Sequence, residues 1–248
     1  MILSLYYDPI YTDGIDPRAH FPRDRYRLLA ERLCVDRGIE LKSPRLVEKA
    51  ELLTAHDQAY VEQFLEGSLP ADVIRRIGLR PWTPAIIERT LRITGGSLDA
   101  LEDALISGIS GNMAGGTHHA YRSFGSGYCI FNDIAVCAYA ALEKPDINRV
   151  LVLDLDVHQG DGTASIFAEH SSVFTCSIHA ESNFPFRKEQ SGLDIHLADE
   201  TSDQDYLDCL DRTLAKIRPQ DYDLILYQAG VDPLAEDALG TLLSLIHI

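Results

Sequence analysis

The chain lacks paired cysteines. Its five cysteines, Cys34, Cys129, Cys137, Cys176 and Cys209, are odd in number and scattered, with no Cys-x-x-Cys among them. This argues against a cysteine zinc site and against a disulfide framework, and it fits a reducing cytoplasm. The chain also lacks a long apolar run. No stretch approaches the roughly 18 to 20 apolar residues of a membrane span. The opening Met1-Ile2-Leu3-Ser4-Leu5-Tyr6-Tyr7 has no basic leader and is stopped by Asp8-Pro9, so it reads as a first strand, not a signal peptide. Basic charge is scarce as well: 22 Lys and Arg stand against 38 Asp and Glu, a net charge of −16. Phosphate binding needs basic clusters, so nucleic acid is not expected as a direct partner. A cationic substrate such as a lysine-rich tail or a polyamine is compatible with this balance, although solubility alone also accounts for it. There is no internal repeat and no low-complexity linker, and one domain is expected over residues 1–240.

What is present is ordinary in bulk. Hydrophobic residues make up 46% and charged residues 24% of 248 positions, enough for one sizeable α/β core. The first third reads as helical with irregular breaks. Apolar spacing predicts helices over 23–37, 57–65 and 84–105, the last with Pro84 near its first turn, and an apolar helix over 134–142. From Arg149 onward strands alternate with helices. Thr201 and Gln204 have capping-box spacing and open a helix to about Ile217. Such alternation implies a mostly parallel sheet with right-handed crossovers.

One stretch carries most of the chemistry. Residues 150–162 read Val-Leu-Val-Leu-Asp-Leu-Asp-Val-His-Gln-Gly-Asp-Gly. The four apolar residues predict a strand buried on both faces. The strand runs into Asp154, Asp156, His158 and Asp161. While the chain stays extended, Asp154, Asp156 and His158 point the same way. Ionisable groups converging at the carboxyl end of a buried strand are costly unless a cation or partner compensates them. That end is also where open α/β sheets bind ligands. Two further strands, 173–178 and the one within 222–227, deliver Ser177 and His179, and Asp232, toward the same rim. A glycine-rich loop, Gly115-Gly116-Thr117-His118-His119-Ala120, precedes Gly125-Ser126-Gly127-Tyr128-Cys129-Ile130-Phe131-Asn132-Asp133. Between glycines a loop can bend so that both histidine rings enter one cavity.

Asp156, His158 and Asp232 together offer two carboxylates and one imidazole. Three protein ligands with open positions make a catalytic site, not a closed structural one. Oxygen and nitrogen ligands suit zinc, and also iron or cobalt. Such an ion would activate a water and polarise an amide carbonyl. A base must take a proton and an acid must serve the leaving amine, and His118 and His119 suit both tasks.

The double-histidine loop, the Asp154-to-Gly162 run and Gln228-Ala229-Gly230-Val231-Asp232-Pro233 resemble the zinc-dependent histone deacetylase family. That family includes acetylpolyamine amidohydrolases and acetoin-utilisation proteins. The Gly-Gly-Thr-His-His-Ala form, with Asn183-Phe184-Pro185-Phe186-Arg187 after His179, is most similar to the bacterial and class IV branch. His20-Phe21-Pro22-Arg23-Asp24-Arg25-Tyr26 and Ala55-His56-Asp57-Gln58-Ala59-Tyr60-Val61 are similar to that branch too. The likeness runs from about residue 1 to about residue 240.

The resemblance implies an arginase-like three-layer α/β/α fold and favours zinc. By motif match, Asp154 holds His118 and Asp161 holds His119. His119 is read as the base, and His118 as electrostatic partner or acid. A potassium ion is implied at Asp154, Asp156, His158, Ser177 and Ile178, with a second monovalent site around Phe167, His170 and Val173. An acyl-lysine channel is implied with aromatic walls Tyr128 and Phe184, and Gly127 lets backbone approach the substrate. The expected activity is removal of acyl groups from an acetylated protein lysine or a small acetylated amine. Oligomeric state is left open.

The chain departs from the family near its end. Family members continue past Asp-Pro to a glycine-rich loop carrying a tyrosine that donates to the developing oxyanion. Here the sequence stops at Ile248. Residues 241–248 read as a non-native tail. The fold is then expected to be incomplete, with an exposed sheet edge and little turnover. Two alternatives follow: an inactive acyl-lysine binding module, and a ureohydrolase with a two-manganese cluster. His158 and the double-histidine loop argue against the second.

Overall fold

A computed structural model describes residues 2–235, 237 and 240–242. It divides into two compact units, residues 1–140 and 141–248. The first unit holds a parallel sheet of β1 (Leu3–Tyr6), β2 (Ile39–Lys42) and β3 (Ser110–Asn112), with β1 in the middle. The expected first strand is therefore real. Around it lie α1 (Ile10–Asp13), α2 (Arg25–Leu33), α3 (Lys49–Leu52), α4 (Gln58–Leu65), α5 (Ala71–Ile77) and α6 (Ala85–Ser107). α7 (Asp133–Leu142) follows the glycine-rich loop.

The long helix α6 starts right after Pro84, where a missing N–H costs nothing, and it stops at Gly108, whose φ of +88° suits glycine. Gly96 lets Tyr11 and Asn112 pack against its middle, since a Cβ there would collide with the Tyr11 hydroxyl. α2 is shorter than the periodicity of 23–37 predicts. Arg23 stays outside it and sends Nη1 to the carbonyls of Thr12 and Ile15, at 3.2 and 3.1 Å. At the other end the Asp36 side chain accepts from the Gly38 amide at 2.7 Å, and that turn feeds β2. α7 is apolar on most of its faces, and Ile134 to Ala138 are buried in an unbroken run, as expected of a core helix.

The second unit holds a parallel sheet ordered β6-β5-β4-β7. Its strands are β4 (Val150–Asp154), β5 (Val173–Ala180), β6 (Leu193–Leu197) and β7 (Leu224–Gln228), with helices α8 (Asp161–Phe167) and α9 (Asp203–Ile217) between them. Val150, Leu151 and Val152 are buried: β4 lies inside the sheet between β5 and β7, and Leu151 packs against Ile217 of α9. β7 lies at the edge among the described residues, and its Ile225 and Tyr227 are half-exposed. Of the tail expected at 241–248, residues 243–248 lie outside the described ones. Leu242 is buried with Tyr206 and Leu197, and the Thr241 hydroxyl lies 2.8 Å from Asp199 Oδ1.

The cap of α9 differs from the expected Thr201–Gln204 box. Ser202 is the N-cap, and its hydroxyl accepts from the Asp205 amide at 3.3 Å. The Thr201 hydroxyl instead bonds back to the Ala198 carbonyl. Ser202→Ala should therefore cost about 1 kcal/mol in urea unfolding, the usual value of a serine cap. Gln204→Ala should cost a few tenths at most, the scale of an exposed helix pair. A larger loss from Gln204→Ala would return the cap to the box. No helix among the described residues is long and apolar enough to cross a membrane.

Candidate active site

The strand β4 ends four residues sooner than a fully extended reading through His158 needs. Asp154 is its last residue, and the chain bends through 156–158. The bend is set by Asp154 itself, whose Oδ1 accepts from the Asp156 amide at 3.1 Å. The alternation argument therefore does not aim Asp156 and His158. Tertiary contacts do. Asp156, His158 and Asp232 each place a ligand atom within 4.8 Å of the other two. His158 Nδ1 faces Asp156 Oδ1 and Asp232 Oδ2, both at 3.0 Å. The backbone fixes both carboxylates: the Val157 amide donates to Asp232 Oδ1 at 2.9 Å, and the His158 amide to Asp156 Oδ1 at 2.9 Å.

Gly230 makes the closeness possible. A Cβ there would collide with the Asp156 backbone and carboxylate, so the turn after β7 needs glycine to reach β4. Asn183 approaches the far side of the imidazole, its Nδ2 3.5 Å from His158 Nε2, and the Thr241 hydroxyl lies 2.5 Å from its Oδ1. The roles of Gly230 and Asn183 were not read from the sequence. The Gln-Ala-Gly-Val-Asp run held the signal for the first.

Burial works against a charge on His158. Its hydrogen bonds to Asp156 and Asp232 outweigh that and push its pKa up to about 9. Burial raises the Asp232 pKa, and the Asp156 charge adds to the rise against the His158 bond. The three side chains are 13 to 18% exposed, so the cluster keeps an open face. Two carboxylates and one nitrogen thus converge on one point. That donor set fits a divalent cation with room for further ligands.

Of the other expected residues of this unit, Asp154, Asp161, Phe167, Val173, Ser177 and Ile178 are buried, and His170 is half-buried. Asp154 and Ser177 are partners across the β4–β5 ladder, and Ile178 follows. Ser177 Oγ lies 2.9 Å from His179 Nδ1. Asp161 opens α8, and its Oδ1 accepts from the Gly162 amide at 3.0 Å. Beyond α8, the His170 amide donates to Phe167 and the Val173 amide to His170, at 3.0 and 3.1 Å. Phe184 is half-buried with its ring 6.5 Å from that of His158, edge to face.

The first unit holds the histidine pair. Gly115 and Gly116 have φ of +117° and +65°, a bend that other residues resist. His118 and His119 are buried, with ring centroids 4.1 Å apart. Gly127 and Tyr128 also have positive φ, and the Tyr128 amide donates to the Ile77 carbonyl at 2.7 Å. The Tyr128 ring packs edge to face on Phe21 at 5.4 Å.

His56 closes the loop from behind. Its Nε2 accepts from the Asn132 amide at 2.9 Å, and its Nδ1 lies 3.0 Å from the Tyr121 carbonyl. This fixes a neutral tautomer with the proton on Nδ1. Burial lowers its pKa to about 4. The ring should show no NMR titration between pH 8 and about 5.5, where an ordinary histidine would titrate near 6.5. Between 6.5 and 4 the unfolded chain binds a proton that the folded ring refuses, so stability falls as pH drops through that window. A His56 midpoint near 6.5 would discard this account.

A model of the histone deacetylase domain matches residues 20–245. The chain belongs to the histone deacetylase family. It is 40% identical over 243 residues to an uncharacterized protein of Picosynechococcus sp., covering 95% of this chain and 80% of that one. It is 26% identical to histone deacetylase 2 of Arabidopsis thaliana, covering 98% of this chain and 65% of that one. With the acetoin utilization protein AcuC of Staphylococcus aureus (strain MSSA476) it shares 32% identity over 84% of this chain and 59% of that one. The chain thus spans from about three fifths to four fifths of these relatives' lengths. Among solved structures, an HDAC homolog complexed with SAHA superposes with a TM-score of 0.84 at 27% identity, covering 98% of this chain and 72% of that one. An HDAC homolog from Aquifex aeolicus gives 0.82 at 26%, with the same coverage. The parallel sheets and their helices are accordingly those of the deacetylase-like α/β fold.

Proposed function

We propose that the chain is a metal-dependent amidohydrolase that removes acetyl groups from a protein lysine or a small acetylated amine in the cytoplasm. One observation carries this reading: in a chain of the deacetylase family, Asp156, His158 and Asp232 converge through Nδ1 and two carboxylate oxygens. These three residues would hold zinc, and their donor set also accepts iron or cobalt. A bound divalent ion supplies Lewis acidity there, polarising a carbonyl and making a water more acidic. His118 and His119 move the protons, taking one from water and returning one to the departing amine. On this reading, which rests on the family likeness, Asp154 and Asp161 orient them. Potassium would sit at Asp154, Asp156, His158, Ser177 and Ile178. Gly127, Tyr128 and Phe184 belong to the acyl channel on this reading, and residues 1–240 act as one catalytic domain.

The test is acetate release from an acetyl-lysine reporter by zinc-loaded protein, with a chelator and a hydroxamate as separate inhibitors. Release above the uncatalysed background, even if slow, that both inhibitors block is the expected result. Hydroxamate binding without release would replace the enzyme by an acyl-lysine binding module. Neither binding nor release would end the reading.

A further inference from the structure

The histidine loop is wrapped around one buried carboxylate. Asp133 is the first residue of α7 and is 2% exposed. An acid at that position ordinarily faces its own helix's first amides. Here that task falls to Asn132, whose Oδ1 accepts from the Ala135 amide at 2.9 Å. The Asp133 carboxylate turns to the loop instead. Its Oδ1 accepts from the Thr117 amide at 2.8 Å, and the Thr117 hydroxyl lies 2.5 Å from the same oxygen. Its Oδ2 accepts from the Gly116 amide at 3.2 Å and from the Ser97 hydroxyl at 2.5 Å. Gly115 has no room for a side chain, because a Cβ there would collide with Oδ2. The two positive φ values at Gly115 and Gly116 are what bring the amides of Gly116 and Thr117 round to one acceptor.

The anchor is itself anchored. Ser97 sits on α6 and accepts from Asn112 Nδ2 at 3.0 Å, so its own proton is left for Asp133. Asn112 ends β3, and its Oδ1 accepts from the Tyr11 hydroxyl at 3.0 Å. The chain Tyr11, Asn112, Ser97, Asp133 therefore ties the loop to α1, β3, α6 and α7 at once. Buried polar networks satisfied at every member hold their geometry tightly. His118 is the next residue after Thr117. On the far side of the pair, Asn132 Nδ2 donates to the Ala120 carbonyl at 3.1 Å.

We propose that Asp133 is the positioning residue of the His118–His119 pair, fixing where the two rings stand. This rests on the proposed acid–base role of that pair. Asp133→Asn keeps the shape but puts a donor where a loop amide now donates. The expected result is a fall in kcat of roughly 10- to 100-fold, the cost of about 1 Å of misplacement. KM and zinc content should stay as in the wild type, and the ring ¹H–¹⁵N correlations of both histidines should shift. Ser97→Ala removes one donor only and should move kcat and the histidine resonances the same way, by less. If Asp133→Asn does not fold, Ser97→Ala and Thr117→Val decide. Wild-type kcat with unmoved histidine resonances, in a folded Asp133→Asn or in both milder variants, overturns the proposal. His119→Ala in the same assay separates the two ideas. If His119→Ala keeps its turnover, the acid–base reading fails, and the resonances alone judge the positioning.

Discussion

Asp232→Ala should remove tight metal binding while the second unit stays folded. Three donors converge in the wild type, and the variant keeps two, Asp156 and His158. Even an outer partner of a ligand typically changes affinity by about 10- to 100-fold, so the loss of a direct ligand should exceed that. The substitution also strips the Val157 amide of its acceptor, a cost of roughly 1 to 3 kcal/mol if the amide stays unpaired. Asp232→Asn controls for this, because its carbonyl oxygen can still accept from Val157 while the carboxylate charge is gone. In the metal-free protein the imidazole of His158 holds its proton up to about pH 9. Binding near pH 7 should therefore release about one proton, and apparent affinity should weaken as pH falls. Elemental analysis of both variants, with zinc titration calorimetry in buffers of different ionisation heat, measures these effects. Full occupancy in the alanine variant would remove Asp232 from the ligand set.

The strand β4, which leads into this cluster, was legible in sequence because it is buried on both faces. Val150 to Leu153 are a run of apolar residues ending in acid, and no other element type fits their length and composition. Turns were harder. The alternation rule aimed Asp156 and His158 correctly for the wrong reason, since the strand stops at Asp154 and a side-chain bond bends the chain. The cap of α9 moved by one residue because Ser202 and Thr201 are chemically equivalent candidates one position apart. Asp133 reads locally as an ordinary acidic residue at a helix start. Its partners are Ser97, Gly116 and Thr117, and a contact that spans 36 residues leaves no periodic trace. Gly230 is similar. A glycine beside a carboxylate says that something approaches closely, but only the fold says that it is Asp156.

His119→Ala should lower the rate of acetate release by about 10² to 10⁴, the usual contribution of a general acid or base. Metal content should not change, because the ring is not among the three donors that converge on the cluster. The shape of the pH profile makes the assignment specific. A base works only when neutral, so the wild-type rate should rise with pH through the base's pKa, ordinarily near 6.5. If His119 is that base, the variant loses the acid-side limb along with the rate. If His118 is the base instead, His119→Ala keeps the limb, and His118→Ala removes it. The two rings stand 4.1 Å apart, so each substitution also disturbs its neighbour. Glutamine at either position tests that, since it fills much of the space without titrating. Near-normal turnover in both alanine variants would leave the pair as packing, and the proposed mechanism would lose its proton carrier.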